Sequence, residues 1–148
     1  MKGQSSMKAN KLQVGSWVLL QGKPYQIDIL NGYQESDLGF EPIPITPELL
    51  EKNGFEIKNA SECGRDFVMS RNTIVSGGKE NIVDMHNHGG YIHTNEKWNV
   101  GISRIIDPDI LSPLGFPIES PIASCELTYL HQLQALLQIC KIEHEWQV

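Results

Sequence analysis

The sequence predicts an α+β domain: a small antiparallel β-barrel or meander, one short helix, and a C-terminal amphipathic helix that packs on the sheet. Three observations lead to this class. Runs of alternating apolar and polar residues recur along the chain. Thirteen glycines and eight prolines are more than a helical bundle carries, and they separate these runs as turns. Near the C-terminus, leucines recur at helical spacing.

A β-hairpin is expected first. Residues 12–20 are mostly apolar, and residues 25–30 alternate with period two, which is typical of a half-buried strand. Gln21-Gly22-Lys23-Pro24 between them favours a tight turn, because glycine adopts positive φ and proline fixes its own φ. A glycine-containing strand that leads into a Trp-Val hairpin resembles the opening of small SH3-like barrels.

A loop and a short helix follow. Residues 31–41 are polar and glycine-rich, so they predict a loop. Residues 46–54 predict a helix with its terminal signals in place. Thr46 can cap the first free N–H groups, Pro47 needs no N–H there, and Gly54 can end the helix in the left-handed conformation.

The central region predicts a meander of strands over residues 55–106. Its candidate strands are 55–58, 66–70, 81–85 and 98–106, with turns at 76–79 and 89–90. Residues 107–121 contain four prolines and predict a surface loop, since proline cannot donate to a strand ladder.

The last element is predicted to be a helix that begins between Ser120 and Ser124. Its apolar stripe would face the sheet and consists of Leu127, Leu130, Leu133, Leu137 and Cys140. His131, Gln132 and Gln134 beside this stripe are interpreted as polar side chains that tie the helix to neighbouring backbone. The tail over residues 141–148 is mostly polar but carries Trp146, which either docks or stays loose.

Composition excludes several classes of function. The net charge of −6 and the scattered basic residues argue against general nucleic-acid binding and against binding to anionic membranes. A small basic pocket for a single phosphate is compatible with this composition. No apolar run approaches the roughly 18 residues of a membrane span. Cys63, Cys125 and Cys140 lack C-x-x-C spacing, which favours a reducing cytoplasm. Residues 1–6 are interpreted as an added leader, and residues 7–148 as a single domain.

One histidine cluster predicts a metal site. On a strand, Asp84, His86 and His88 would share one face, and a turn at Gly89-Gly90 would bring His93 back towards them. Such a set suits zinc, manganese or iron. The alternative is a solvent-facing hairpin tip in which the histidines have no common role. No H-E-x-x-H signature is present to favour the metal site over this alternative. Beyond a divalent metal here, no cofactor is expected.

Three blocks of the sequence carry a family resemblance. Leu12–Val18, Pro42–Phe55 and Tyr129–Leu136 resemble the blocks LRIGNWV, PIPLTEEWLLKFGF and YVHQLQNLY of a family of small proteins. These proteins are encoded by bacteria of the Bacteroides group and by their phages and mobile elements. Ser16 and Ala135 stand where the family has Asn. The resemblance implies a cytoplasmic single-domain protein of the bacterial host cell, and it implies no activity.

Two functions of different classes follow as hypotheses. The first is a non-enzymatic binding protein that acts on a host factor or sequesters a small nucleotide-like signalling ligand. The phosphates of such a ligand would contact Arg65, Arg71, Lys79 or Arg104, and its base would stack on Trp17, Tyr91 or Trp98. The second is a metal-dependent hydrolase built on Asp84, His86, His88 and His93. A third possibility is an assembly of identical chains through a barrel edge and the closing helix.

Overall fold

Antiparallel pairing between strands that follow one another in sequence organises this fold. A computed structural model describes residues 14–28, 39–62, 65–87, 97–107, 109–116 and 118–148, and of residues 60–62 and 65–66 it describes the backbone. The strands are β1 (Trp17–Leu20), β2 (Lys23–Gln26), β3 (Phe40–Glu41), β4 (Glu56–Glu62), β5 (Arg65–Ser76), β6 (Lys79–Asn87), β7 (Trp98–Ile105) and β8 (Glu119–Leu127). The helices are α1 (Pro47–Lys52) and α2 (Leu130–Ile139). The predicted α+β class is confirmed.

The small sheet has the order β2-β1-β3 and contains the predicted hairpin. Gln21 and Gly22 connect its strands with φ of 54° and 78°, the paired positive values of a turn that matches strand twist. Pro24 lies in β2, where an edge strand tolerates its missing N–H.

The predicted loop over 31–41 is wrong at its end. Phe40 and Glu41 form β3 and pair with Leu20 and Leu19 of β1, whereas residues 31–38 lie outside the described residues. Phe40 is buried and stacks on Tyr25 with ring centroids 5.8 Å apart. This apolar contact fixes a strand of two residues, which is too short to leave a periodic pattern in the sequence.

Helix α1 confirms the predicted terminal signals. The Leu49 N–H donates to Thr46 Oγ1 at 3.1 Å, and Gly54 follows the helix with φ of +90°. Leu49 and Leu50 are buried and hold α1 in the main core. The helix has six residues, so this packing rather than its length stabilises it.

The large sheet is the predicted meander, in the order β4-β5-β6-β7-β8. Gly77 and Gly78 connect β5 to β6 with φ of 61° and 76°. The second predicted turn, at residues 89–90, lies outside the described residues. Strands β4, β5 and β6 are longer than predicted, and β5 and β6 pair continuously from Ser76–Lys79 back to Val68–Asn87.

Two predictions at the C-terminal end are wrong. The loop predicted over 107–121 ends earlier, because β8 begins at Glu119, and the helix predicted to begin at 120–124 begins at Leu130. Pro121 lies opposite Ser103 beside a register shift, on a strand with one neighbour, so its missing N–H interrupts no second ladder. Leu127 pairs with Trp98 and belongs to the sheet rather than to the helix stripe.

The predicted barrel is not closed, since the described strands form two separate sheets. The large sheet is nevertheless strongly curved. Arg71 Nη2 of β5 donates to Glu119 Oε2 of β8 at 3.0 Å, although three strand spacings of a flat sheet would separate these strands by about 14 Å. The two long side chains therefore meet over a curved face, and the resemblance to SH3-like barrels stays a prediction.

The main core lies between the inner face of the large sheet and α2, as predicted for the closing helix. Leu130, Leu133 and Leu137 are buried there, and each fully buried leucine contributes about 1.5–3 kcal/mol relative to an exposed one. The tail docks as well, because Ile142 and Trp146 belong to the same core. In the part of the chain that is described, no helix has the length and apolar character needed to cross a membrane.

Candidate functional site

The predicted histidine cluster is described only in part. Asp84 and His86 share the outer face of β6, as the period-two pattern predicts, and alternate with buried Val83 and Met85. Asp84 lies opposite Arg71, whose Nε is 3.6 Å from Asp84 Oδ1. The nearest defined partner of the Asp84 carboxylate is therefore a guanidinium.

His88 and His93 lie outside the described residues. Within the described ranges, no three His, Cys, Asp or Glu side chains come together in a way that could hold a metal ion. The metal site thus stays a prediction that depends on residues beyond those ranges.

Two of the arginines predicted to bind phosphate, Arg71 and Arg104, lie on opposite faces of the large sheet. Arg71 lies opposite Asp84 on the outer face of the large sheet, whereas Arg104 lies opposite buried Asn81 on the inner face. Arg104 donates from Nε to Asn81 Oδ1 at 2.8 Å and from Nη2 to the Cys140 carbonyl at 3.0 Å. It therefore links β7 to the C-terminal end of α2. Of Arg65 only the backbone is described.

Of the three aromatic residues predicted to stack on a base, two are described, and they differ in burial. Trp98 is 1% exposed, and its indole N–H donates to the Ile45 carbonyl at 3.0 Å, so its ring is part of the core. Trp17 is half-buried and lines a surface depression. Tyr91 lies outside the described residues.

The depression beside Trp17 is a groove between the N-terminal side of β1 and the C-terminal tail, here called the tail groove. It consists of two adjoining depressions with volumes of about 280 and about 630 Å³. The residues that line both are Gly15, Gln134, Glu143, His144 and Trp146. Because they share these residues, the two depressions form one continuous groove.

Gln134 of α2 fixes one wall of the tail groove. Its Oε1 accepts from the Trp17 N–H at 2.8 Å, and its Nε2 donates to the Gly15 carbonyl at 3.0 Å. Gln26 Nε2 donates to the same carbonyl at 3.1 Å. The predicted role of Gln134 as a polar tie to backbone is confirmed, and the wall is held by side-chain amides.

Asn53 fixes the other wall, which is the tail itself. The Gln147 backbone N–H donates to Asn53 Oδ1 at 2.7 Å, and Asn53 Nδ2 donates to the Gln147 carbonyl at 2.9 Å. The Glu143 N–H donates to Ser76 Oγ at 2.9 Å. The tail is thus tied at both of its ends, so the tail groove is formed without a ligand.

His144 gives the tail groove a mostly neutral imidazole at neutral pH. Burial lowers the pKa of His144 below its ordinary value, and the carboxylate of Glu145 opposes this shift. His144 Nε2 lies 3.2 Å from Asn53 Oδ1, which can only accept, so Nε2 carries the proton in the neutral ring. The His144 ring also meets the Trp146 ring edge-on, with centroids 4.6 Å apart.

The cysteines of the described residues offer no activated nucleophile. Partial burial raises the pKa of both the Cys125 and the Cys140 thiol, and the nearby Arg104 opposes the shift of Cys140 without cancelling it. A catalytic cysteine requires the opposite shift, because the thiolate is the reactive form.

A second surface feature is the connection between β7 and β8, here called the apolar loop and defined as residues 106–118. Large apolar side chains point outward from it: Ile106, Ile110, Leu111, Leu114, Phe116 and Ile118 are 41–83% exposed. Between Ser112 and Phe116 its backbone is nevertheless held by its own hydrogen bonds. The Ser112 N–H donates to the Phe116 carbonyl at 2.7 Å, and the Gly115 N–H donates to the Ser112 carbonyl at 2.9 Å.

Sequence reasoning missed both surface features, although each left a signal. In residues 106–118, large apolar residues alternate with prolines, which keep them out of a sheet interior. In Glu143-His144-Glu145-Trp146, an indole and an imidazole stand between carboxylates. No described residue lines the tail groove and also belongs to the apolar loop. No protein-family model, no curated protein and no solved structure matches this chain.

Proposed function

We propose that this protein is a non-enzymatic binding protein that contacts a partner protein through the apolar loop. The observation that carries the proposal is the exposure of Ile106, Leu114 and Phe116, at 68%, 83% and 66%, within one short segment. Large contiguous apolar patches are rare on soluble monomers and typical of interaction sites, and several large exposed apolar side chains within one segment favour such a patch here. Apolar side chains on a pre-ordered loop also lose little conformational entropy when they bind.

Charge defines the partner more closely. Carboxylates border these apolar side chains in the sequence: Asp107 and Asp109 lie within the apolar loop and Glu119 follows it, and no Lys or Arg occurs between Arg104 and Lys141. An anionic membrane surface would be repelled by this border, since such surfaces attract Lys and Arg. The complementary surface is an apolar groove with a basic rim on another protein. From the family resemblance, that protein would belong to the bacterial host.

The small-nucleotide version of this function receives less support. Arg71 and Arg104 lie on opposite faces of the large sheet, and each is already engaged by side-chain or backbone oxygens. The hypothesis of a metal-dependent hydrolase is supported by the sequence alone. Elemental analysis of untagged protein tests it directly, because less than one bound metal per chain removes it.

A binding comparison with a matched control tests the partner-protein proposal. Immobilised wild type, Leu114→Ser/Phe116→Ser and Ile139→Ser are incubated with a lysate of a Bacteroides-group bacterium, and retained proteins are quantified by mass spectrometry. Ile139 is the control because it is 78% exposed on α2, so its substitution also removes an exposed apolar group.

The proposal expects one protein retained by wild type and by Ile139→Ser and lost with the loop variant. With that protein purified, the loop variant should weaken binding at least tenfold, as truncation at an interface centre does. Equal retention by all three proteins contradicts the proposal. So does a wild type that self-associates in light scattering through the same two loop residues, because the loop would then bind its own copy.

A further inference from the structure

We propose that the tail groove is a second binding site, which takes an organic cation: an ammonium or guanidinium group on an aromatic or apolar body. This site goes beyond the partner-protein function, because none of the described residues that line it belongs to the apolar loop. Its larger depression, at about 630 Å³, lies within the usual range for small-molecule pockets, roughly 300–1,000 Å³.

The charge of the tail groove selects the sign of its ligand. Glu143 and Glu145 are exposed carboxylates in its lining, and among the described residues no Lys or Arg lines either depression. His144, the remaining titratable group of the lining, is mostly neutral at neutral pH. Among the described residues, a cation that enters the groove therefore meets two negative charges and no positive side chain, whereas an anion is repelled.

The aromatic side chains select the body of the ligand. The indoles of Trp17 and Trp146 line the larger depression, and Trp17 is only half-buried. Indole is the best aromatic partner for a cation, and it also packs well against an aromatic or aliphatic group. Acidic side chains beside indoles thus suit a ligand whose positive group is carried on an apolar frame.

The walls of the tail groove are already in place. Gln134 holds the Gly15–Trp17 wall at both a carbonyl and an N–H group, and Asn53 holds the tail at Gln147. A ligand therefore does not have to order either wall. A preformed site with a few convergent polar groups is the usual form of small-molecule sites.

Two probes that differ in charge test this inference. Tryptamine and indole-3-propionate carry the same indole on a short chain, with an ammonium group in the first and a carboxylate in the second. Each is titrated at millimolar concentration into ¹⁵N-labelled protein and followed by amide and indole N–H shifts. Tryptamine should shift the indole N–H signals of Trp17 and Trp146 and the amides of residues 143–147, and indole-3-propionate should shift none of them.

Paired variants test the role of charge. Glu143→Gln/Glu145→Gln should weaken tryptamine binding at least threefold, which is the size expected for two exposed charge contacts. As the control, Glu80→Gln/Glu126→Gln also removes two carboxylate charges, but at positions outside the groove, and it should leave tryptamine binding within a factor of two. The inference is overturned if both probes bind equally, if tryptamine shifts signals elsewhere or nowhere, or if the two double variants weaken binding alike. None of these outcomes bears on the apolar loop, since its variants keep the tail groove intact.

Discussion

The Asn53 side chain pairs with the backbone of Gln147 through two hydrogen bonds, one donated by Nδ2 at 2.9 Å and one accepted by Oδ1 at 2.7 Å. The same amide donates to the Leu49 carbonyl at 2.8 Å and lies 3.2 Å from His144 Nε2. All the hydrogen-bonding positions of this buried side chain are therefore used. One amide joins the end of α1 to the tail and keeps one wall of the tail groove in position.

Asn53→Leu should therefore lower the free energy of unfolding by about 2–4 kcal/mol, because it leaves the N–H and the carbonyl of Gln147 without their partner in a partly buried place. Urea unfolding measures the change. Asn59→Ala is the control, because Asn59 is exposed on β4 and its loss should stay within about 0.5 kcal/mol. Equal effects at the two positions would show that the Asn53 contacts do not stabilise the fold.

Gln134 gives the second prediction. Gln134→Met keeps the length of the side chain but leaves the Trp17 N–H and one bond of the Gly15 carbonyl unpaired, so it should destabilise the protein by about 1–3 kcal/mol. Hydrogen exchange at the Trp17 amide should accelerate by more than the global loss of stability explains.

Gln138→Met is the matched control for that variant. Gln138 lies one turn further along α2 and is exposed, so its replacement should change neither stability by more than about 0.5 kcal/mol nor Trp17 exchange. Slow Trp17 exchange in Gln134→Met would contradict the role assigned to the Gln134 side chain.

The elements that the sequence predicts correctly are those with local causes. The hairpin depends on Gln21-Gly22 in its turn, α1 depends on Thr46 and Gly54, and the meander depends on alternation within each strand. Each of these signals acts within a few residues, so a single sequence displays it. The placement of α2 against the sheet follows similarly from its leucine spacing.

The elements that the sequence misses depend on distant partners. Strand β8 contains Pro121 and gains its strand conformation by pairing with β7, so its own residues did not predict it. The tail groove exists because Gln134 meets Trp17, 117 residues away in sequence, and because Asn53 meets Gln147, 94 residues away. No local pattern encodes such pairings. Arg71 and Arg104, two of the predicted phosphate ligands, lie on opposite faces of the large sheet for a related reason, since they differ in strand parity across the paired register.

The two arginines give the third prediction, because they differ in what they bind. Arg104→Met leaves buried Asn81 Oδ1 and the Cys140 carbonyl without a donor, so it should destabilise the protein by about 1–3 kcal/mol. Arg71→Met removes a half-exposed ion pair with Glu119, which should contribute about 0–1 kcal/mol and fade with added salt. Urea unfolding at low and high salt measures both. Equal losses, or a strong salt dependence for Arg104→Met, would contradict this ranking.

His144 gives the fourth prediction, a loss of stability in acid. Because burial lowers the pKa of His144 in the folded protein, the unfolded chain binds its proton more readily, so protonation favours unfolding. This destabilisation is absent at pH values well above the ordinary histidine pKa of about 6.5. It grows as the pH falls through that value towards the pKa of His144 in the folded protein. The melting temperature of wild type should therefore fall more steeply between about pH 7.5 and pH 5.5 than that of His144→Gln. Glu145→Gln removes the carboxylate that raises the His144 pKa, so it should shift the lower end of this window to more acidic pH. If the melting temperatures of wild type and His144→Gln instead change equally with pH, His144 takes up its proton equally well in the folded and unfolded chain.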